Sequence, residues 1–401
     1  MKSRKEKILP LMQRDGIKGI IASSPENFHY ISGTHSHQHS VSRQPGFAAA
    51  FLKDNSDASA IVMDFEAPAL MERQMRLNVR PYDTWVGVRE EKEIRPGAPA
   101  MQNKTDKAHG SFLDVLLDTI VSSGLAGSRL GVEEDFLPVS FMRQLKEKLP
   151  AADFVNVSPL FILARSVKTQ EEVSLFRELN RIASQALYKS AKHLQPGMSE
   201  RDVAQSYREG VIASRLNGYN IAPSPWSTFN SGPNSSRLSL PGDRILQKGD
   251  VFKFDGGVNA EFDFYTTDFS RAWIVGKGKP GLKELKERLH SGLLLMLYSI
   301  KPGLSFSELF DIGFEHVKAK YPAYKRGHLG HSISMGPQTA EAPFISAGEK
   351  RLLEEGMVLC VEVPCYVRGV GGFNLEDMVL VTAQGCEVLS SHCPHFMEFE
   401  G

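Results

Sequence analysis

Three acidic residues stand in or beside apolar runs, where an acid carries a high free-energy cost. Asp255 follows Val251-Phe-Lys-Phe254, Glu362 lies inside Met357-Val-Leu-Cys-Val-Glu-Val-Pro364, and Glu376 precedes Asp377 and then Met378-Val-Leu-Val381. Such runs read as buried strands, and an ionised carboxylate there needs a charge partner or a metal. Glu362 repeats Asp255 at an offset of 107 residues, and Glu376 repeats Asp268 at an offset of 108. One acid on an amphipathic strand could face solvent. Four at matched repeat positions point instead to a cluster, whose mutual repulsion divalent cations would relieve. An oxygen-rich cluster with one imidazole suits two hard or borderline ions. The imidazole candidates, His328 and His331, lie in Gly327-His-Leu-Gly-His-Ser-Ile-Ser-Met335, just before Glu341-Ala-Pro343. The chemistry open to such a set is metal-assisted hydrolysis, because coordination lowers the pKa of water towards neutrality. No G-x-S-x-G elbow and no phosphate-binding G-x-x-x-x-G-K-[ST] loop offers a rival.

The elements that must position these residues are themselves repeated. Pro196-Gly-Met-Ser-Glu-Arg-Asp202 recurs as Pro302-Gly-Leu-Ser-Phe-Ser-Glu308. Each copy places a serine N-cap three residues ahead of an acid, which opens a helix. Arg244-Ile-Leu-Gln-Lys-Gly-Asp-Val-Phe-Lys-Phe-Asp255 recurs as Arg351-Leu-Leu-Glu-Glu-Gly-Met-Val-Leu-Cys-Val-Glu362. Offsets of 106 to 108 residues hold throughout, so two related halves should pack about a pseudo-two-fold axis. Thr169 to Glu172 is a capping box ahead of a long helix with one apolar face. Upstream, to about residue 155, helical periods at 4–15, 114–122 and 140–148 alternate with apolar runs at 17–22, 47–53, 58–64 and 130–132. The run at 17–22 ends in Ser23-Ser24-Pro25, read as a turn. This alternation predicts a mixed or parallel sheet with helices on its faces. The expected fold class is α+β, with a smaller α/β domain over 1–158 and the metal-binding domain over 159–401.

Composition narrows the partners. The chain has 401 residues, with 47 Lys+Arg against 47 Asp+Glu, so it lacks the basic excess of a dedicated nucleic-acid binder. No stretch is apolar enough to span a membrane, and the N-terminus lacks a signal-peptide pattern. The 4 cysteines form no C-x-x-C pair and crowd near the C-terminus, as reduced thiols of a cytoplasmic protein would.

Together these residues resemble the creatinase/methionine-aminopeptidase superfamily of pita-bread metallopeptidases (M24), and above all its Xaa-Pro dipeptidase and aminopeptidase P branch with a creatinase-type N-terminal domain. The resemblance covers nearly the whole chain. It rests on Pro25-Glu-Asn-Phe-His-Tyr-Ile-Ser-Gly33, Arg165-Ser-Val-Lys-Thr-Gln-Glu-Glu172, Phe254-Asp-Gly-Gly257, Tyr265-Thr-Thr-Asp-Phe-Ser-Arg271 and Asn374-Leu-Glu-Asp-Met-Val379. It implies five ligands for two divalent ions: Asp255, Asp268, His331, Glu362 and Glu376. Asp255 would chelate one ion, and Asp268 and Glu376 would bridge the two. Glu362 would also handle the proton of the attacking water, which makes Glu362 and His331 the catalytic pair. Manganese is the first choice of ion, with cobalt, zinc and iron compatible. A homodimer is implied as well. Across such a dimer, N-domain loops carrying His37, His39 or Trp85 could reach substrate, although His35-Ser-His-Gln-His39 also reads as a solvated loop. His328, Tyr265, Arg271 and Glu341 are further substrate-side candidates. Cys360 shares a strand face with Glu362, and a core thiol is its plainer reading.

The chain also departs from the family pattern. The segment from Asp255 to Asp268 is slightly long. Arg237-Leu-Ser-Leu240 stands where a histidine is usual, Ala340 replaces a second histidine, and Asn374 stands where arginine is common. The metal set is complete while the peptide-specific surroundings are altered. The leading expectation is therefore a dinuclear-metal hydrolase of C–N bonds acting on Xaa-Pro peptides. The alternative is a small-molecule C–N hydrolase like creatinase or ectoine hydrolase, and a non-catalytic scaffold ranks third. The expected partner is a small peptide or small amide, with no nucleic acid and no membrane.

Overall fold

A computed structural model describes residues 4–53, 57–86, 91–97, 110–219, 222–336 and 340–399. The chain divides into two compact units, Lys2–Ala164 and Arg165–Gly401. A helix, Ser158–Ser166, runs through the 158/159 position at which the sequence suggests the break.

The N-terminal unit is built on six strands: β1 (Gly19–Ala22), β2 (Ala49–Lys53), β3 (Ser59–Met63), β4 (Asn78–Tyr82), β5 (Arg129–Val132) and β6 (Asp153–Asn156). They form one mixed sheet in the order β4-β3-β2-β1-β5-β6. Helices Phe112–Ser122 and Val139–Lys148 bury Leu116, Ile120 and Leu145 in a core with Ile21, Phe51, Ile61, Leu130 and Val132. Ser23-Ser24-Pro25 is a helix start rather than a turn: Ser24 caps Pro25–Ser32 by accepting from the Asn27 amide. Strand β4 escaped the sequence reading because it carries a proline and alternates poorly.

The second unit carries the repeat. Helices Gln170–Ala191 and Glu200–Ile212 precede β7 (Pro223–Ser231), β8 (Val251–Ala260) and β9 (Phe269–Ile274). Helices Leu282–Ser299 and Phe306–Lys320 precede β10 (Gly330–Ser332), β11 (Glu341–Phe344), β12 (Val358–Glu362), β13 (Cys365–Val367), β14 (Gly371–Phe373), β15 (Glu376–Val381) and β16 (Cys386–Val388). The large sheet runs β11-β10-β12-β15-β9-β8-β7, with β16 alongside β15 and β13-β14 as a separate pair. Both capping boxes form, Ser199 with Asp202 and Ser305 with Glu308. Backbone bonds repeat with them: Glu200 N to Arg244 O and Gly197 N to Leu246 O in one half, Phe306 N to Arg351 O and Gly303 N to Leu353 O in the other. The core of the second half buries Leu289, Leu293, Phe306 and Leu309 from the helices against Leu359, Val361, Val379 and Val381. None of the helices among the described residues is long and apolar enough to cross a membrane.

The middle of the sheet is tight. At Gly330 φ is +135°, and a Cβ there would lie 2.1 Å from the Cys360 carbonyl oxygen. Only glycine lets β10 approach β12 this closely. Gly330→Ala should therefore cost about 3 kcal/mol, the upper end of overpacking effects. A lower urea midpoint with an unchanged m-value would show it.

Candidate active site

The register of four central strands lines up the site. Across β8, β9, β15 and β12, Asp255 pairs with Ser270, Ser270 with Glu376, and Glu376 with Glu362. Residues opposed in this way share a face of the sheet. Asp268 lies just before β9, and its Oδ2 comes within 3.8 Å of His331 Nε2. On the far side of β12, His331 of β10 opposes Cys360. The repeat thus delivers four carboxylates and an imidazole to one patch at the pseudo-two-fold axis. Asp268, His331, Glu362 and Glu376 are buried, and Asp255 is half-buried at the edge.

The electrostatics of this patch call for cations. Burial pushes Asp255 up to about 6, and the neighbouring Glu362 charge adds to the effect while Lys253 opposes it. Burial, then the charges of Asp268, Glu362, Asp255 and Asp377, drives Glu376 well above the usual carboxylate range. Glu362 goes the other way. Burial alone would raise it, but the hydrogen bond from His328 and the charges of Arg326, His331 and His328 together hold it below its ordinary value. His328 Nδ1 lies 3.2 Å and Arg326 Nη2 3.5 Å from Glu362 Oε1. Burial lowers His331, leaving it neutral near pH 7. Its Nδ1 is 3.0 Å from the Ser332 carbonyl, which only accepts, so the proton sits on Nδ1. The Nε2 lone pair then faces Asp268 Oδ2 at 3.8 Å and Glu376 Oε1 at 3.9 Å. A divalent ion placed between this nitrogen and these oxygens would draw on all three as donors. The donor set therefore fits divalent ions, and metal-ligating histidines are commonly fixed through the other ring nitrogen in this way.

Comparison with known proteins agrees with this geometry. A family model described as Metallopeptidase family M24 matches residues 174–383, and one described as Creatinase/Prolidase N-terminal domain matches 4–167. The chain belongs to metallopeptidase family M24. An Xaa-Pro dipeptidase of Pyrococcus furiosus is 26% identical over 394 residues, 97% of this chain and 98% of that protein. An uncharacterized peptidase of Bacillus subtilis is 25% identical over 390 residues, 97% of this chain and 98% of its own. Among solved structures, the Xaa-Pro dipeptidase from Bacillus anthracis superposes with a TM-score of 0.79 at 22% identity, covering 99% of each chain. The prolidase from Pyrococcus furiosus gives 0.72 at 23%, covering 96% of this chain and 99% of that one. The fold is thus the α+β pita-bread fold with a separate N-terminal domain, and the protein is an M24-type, metal-dependent hydrolase of C–N bonds.

Within this M24 enzyme several substrate-side expectations need correction. Arg271 is fully buried and makes no contact open to substrate. Its guanidinium donates to the carbonyls of Glu376, Ser270, Ser390 and Cys393 and to Asp377 Oδ1, so it clamps the backbone beneath Glu376. Tyr265 is also buried: its hydroxyl donates to Glu172 Oε1 at 2.6 Å and its ring meets Phe176 edge-on. Glu341 pairs with Arg165 and accepts from Ser334 Oγ, which makes it an anchor for β11. His39 is fully buried between Phe28 and Phe136, in a short helix, His37–Ser42, capped by Ser36. That segment is a short capped helix rather than a loop. His37 and Trp85 are exposed on the N-terminal unit.

Two residues at the site escaped the sequence reading. Arg326 gave no signal beyond being a cation two residues before His328. Lys253, on β8, is buried with its ammonium on the Arg237 carbonyl and 4.8 Å over the Tyr366 ring. Asn374, noted only as a departure, bridges Asp255 Oδ2 at 3.4 Å and Glu376 Oε2 at 3.2 Å.

The position of His39 yields a prediction. Burial lowers this imidazole to about 4. A histidine with a depressed folded pKa contributes stability that is complete above its unfolded pKa near 6.5 and lost as pH falls towards 4. Two and a half units correspond to about 3 kcal/mol. His39→Leu should therefore lose about 3 kcal/mol less stability than the parent between pH 7 and pH 4, as measured by urea unfolding at each pH.

Proposed function

We propose that this M24 enzyme cleaves the Xaa-Pro bond of small peptides. The observation that carries the reading is the register row of Asp255, Glu376 and Glu362, completed by Asp268 and a neutral His331. Its nearly full-length likeness to an Xaa-Pro dipeptidase supports the choice of bond. Asp255, Asp268, His331, Glu362 and Glu376 would hold two divalent ions, which when bound polarise the carbonyl and acidify water. Four carboxylate donors suit manganese, with cobalt, zinc and iron compatible. Glu362 accepts the proton of the attacking water and returns it to the leaving nitrogen. Arg326 and His328 at its Oε1 keep it ionised for the first of these steps. The Nδ1 bond to the Ser332 carbonyl keeps His331 Nε2 free of a proton. A homodimer follows from the family resemblance, and a cytoplasmic setting is supported by four free thiols.

A second reading, hydrolysis of a small non-peptide amide, is favoured by the surroundings of the site. Ser239 accepts from Asn230 Nδ2 through its carbonyl and hydroxyl oxygens, both at 3.1 Å, and Ala340 has no polar side chain. Neither position offers the imidazole that would orient a peptide.

The test is a cleavage screen of manganese- and cobalt-loaded protein read by mass spectrometry. The panel holds Xaa-Pro dipeptides, longer Xaa-Pro peptides, and small N-acyl, guanidino and cyclic amidine compounds. Xaa-Pro cleavage should appear, and Asp268→Ala should lower kcat/KM more than about 100-fold, since loss of an outer-shell partner alone costs 10–100-fold. Turnover of the small compounds alone would favour the second reading. Metal-loaded protein that cleaves nothing on the panel would overturn both.

A further inference from the structure

The hydrolytic scheme leaves one donor of the cluster unused. Cys360 Sγ falls in a single buried group with Asp268, His331 and Glu376, whose ligand atoms all lie within 4.8 Å of one another. The register explains how. Cys360 opposes His331 across β10 and β12, and it lies two residues before Glu362, so its side chain shares the ligand face. Among the described residues its thiol makes one hydrogen bond, a long one of 3.5 Å to the Asp268 carbonyl. A plain core thiol would be walled by apolar side chains. This one borders two carboxylates and an imidazole.

A second observation points to a ligand in the same space. His331 is 5% exposed, its Nδ1 is committed to Ser332, and its Nε2 lies 3.8 Å from Asp268 Oδ2 and 3.9 Å from Glu376 Oε1, too far for a hydrogen bond to either. Donor atoms around one ion at about 2.0–2.3 Å stand roughly 3.3–3.8 Å apart. From the 4.8 Å bound, an inward movement of up to about 1 Å brings the sulfur to the upper end of that range.

We propose that Cys360 is a sulfur donor to the ion on the His331 side of the centre, making that position selective for a borderline ion such as cobalt, zinc or ferrous iron over manganese. The proposal rests on the metallohydrolase reading. The chemistry is an exchange: the S–H proton leaves to solvent and the ion takes its place. Thiolate favours softer ions, whereas carboxylate and water suit manganese. The Asp255 side, with oxygen donors alone, keeps the harder character.

The experiment titrates chelator-stripped full-length protein with cobalt(II) and records its near-ultraviolet and visible spectrum, without reference to turnover. The parent should bind cobalt stoichiometrically and show a sulfur-to-cobalt charge-transfer band. Cys360→Ser and Cys360→Ala should bind cobalt without that band, and Cys365→Ser should keep it. The preference for zinc over manganese, from competition with a metal indicator, should fall about 10-fold or more in Cys360→Ser, the scale of effect seen for groups that tune a metal site. Stoichiometric cobalt binding by the parent without the band overturns the proposal and leaves the metallohydrolase reading standing. So does a band that survives in Cys360→Ala. A parent that binds no cobalt overturns both.

Discussion

The repulsion among four carboxylates in one sheet is the constraint on which the rest of this structure depends. Asp255, Asp268, Glu362 and Glu376 approach one another in surroundings that penalise charge. A protein meets such a cost by protonating acids, pairing them or binding cations. Asn374 bridges two of the acids with a neutral amide, the Lys253 charge acts on Asp255, and Arg326 with His328 acts on Glu362, while burial and mutual repulsion still raise Asp255 and Glu376. Divalent ions would relieve the repulsion that remains at Asp255 and Glu376.

The fold is arranged to hold that repulsion in place. Each half contributes a hairpin that carries two acids, and the hairpins meet where β9 pairs with β15. Arg271 reinforces the junction from beneath. It grips the Glu376 carbonyl and Asp377, and it ties down Ser390 and Cys393 of the C-terminal segment. The same arginine and His395 hold Asp377 far below the usual carboxylate range, against the effect of burial. Neighbouring acids thus meet opposite fates. Glu376 is left short of protein cations and Asp377 is saturated with them, because successive strand residues face opposite sides of the sheet.

Much of this was legible in the sequence because a repeat encodes geometry. Two acids at matched offsets, with matched caps ahead of them, require matched strands, and matched strands about an axis bring the acids together. The capping boxes at Thr169, Ser199 and Ser305 could be read because their hydrogen bonds are local. The misreadings concern residues whose neighbours are distant in sequence. Arg271 and Tyr265 flank a ligand in the chain, yet their partners lie 105 and 93 residues away and turn both inward. His39 stands among polar residues but is packed by Phe136, far along the chain. Arg326 reaches Glu362 through a loop whose course no local pattern sets.

Proton release on metal binding tests the central claim most directly. Calorimetric titration of chelator-stripped protein with manganese at pH 6, in two buffers of different ionisation enthalpy, counts the ions bound and the protons displaced. Burial and mutual repulsion favour the protonated forms of Asp255 and Glu376, so cations that bind there displace protons. The account predicts two ions per chain and a net release of protons. Binding without proton release, or no binding, would contradict it.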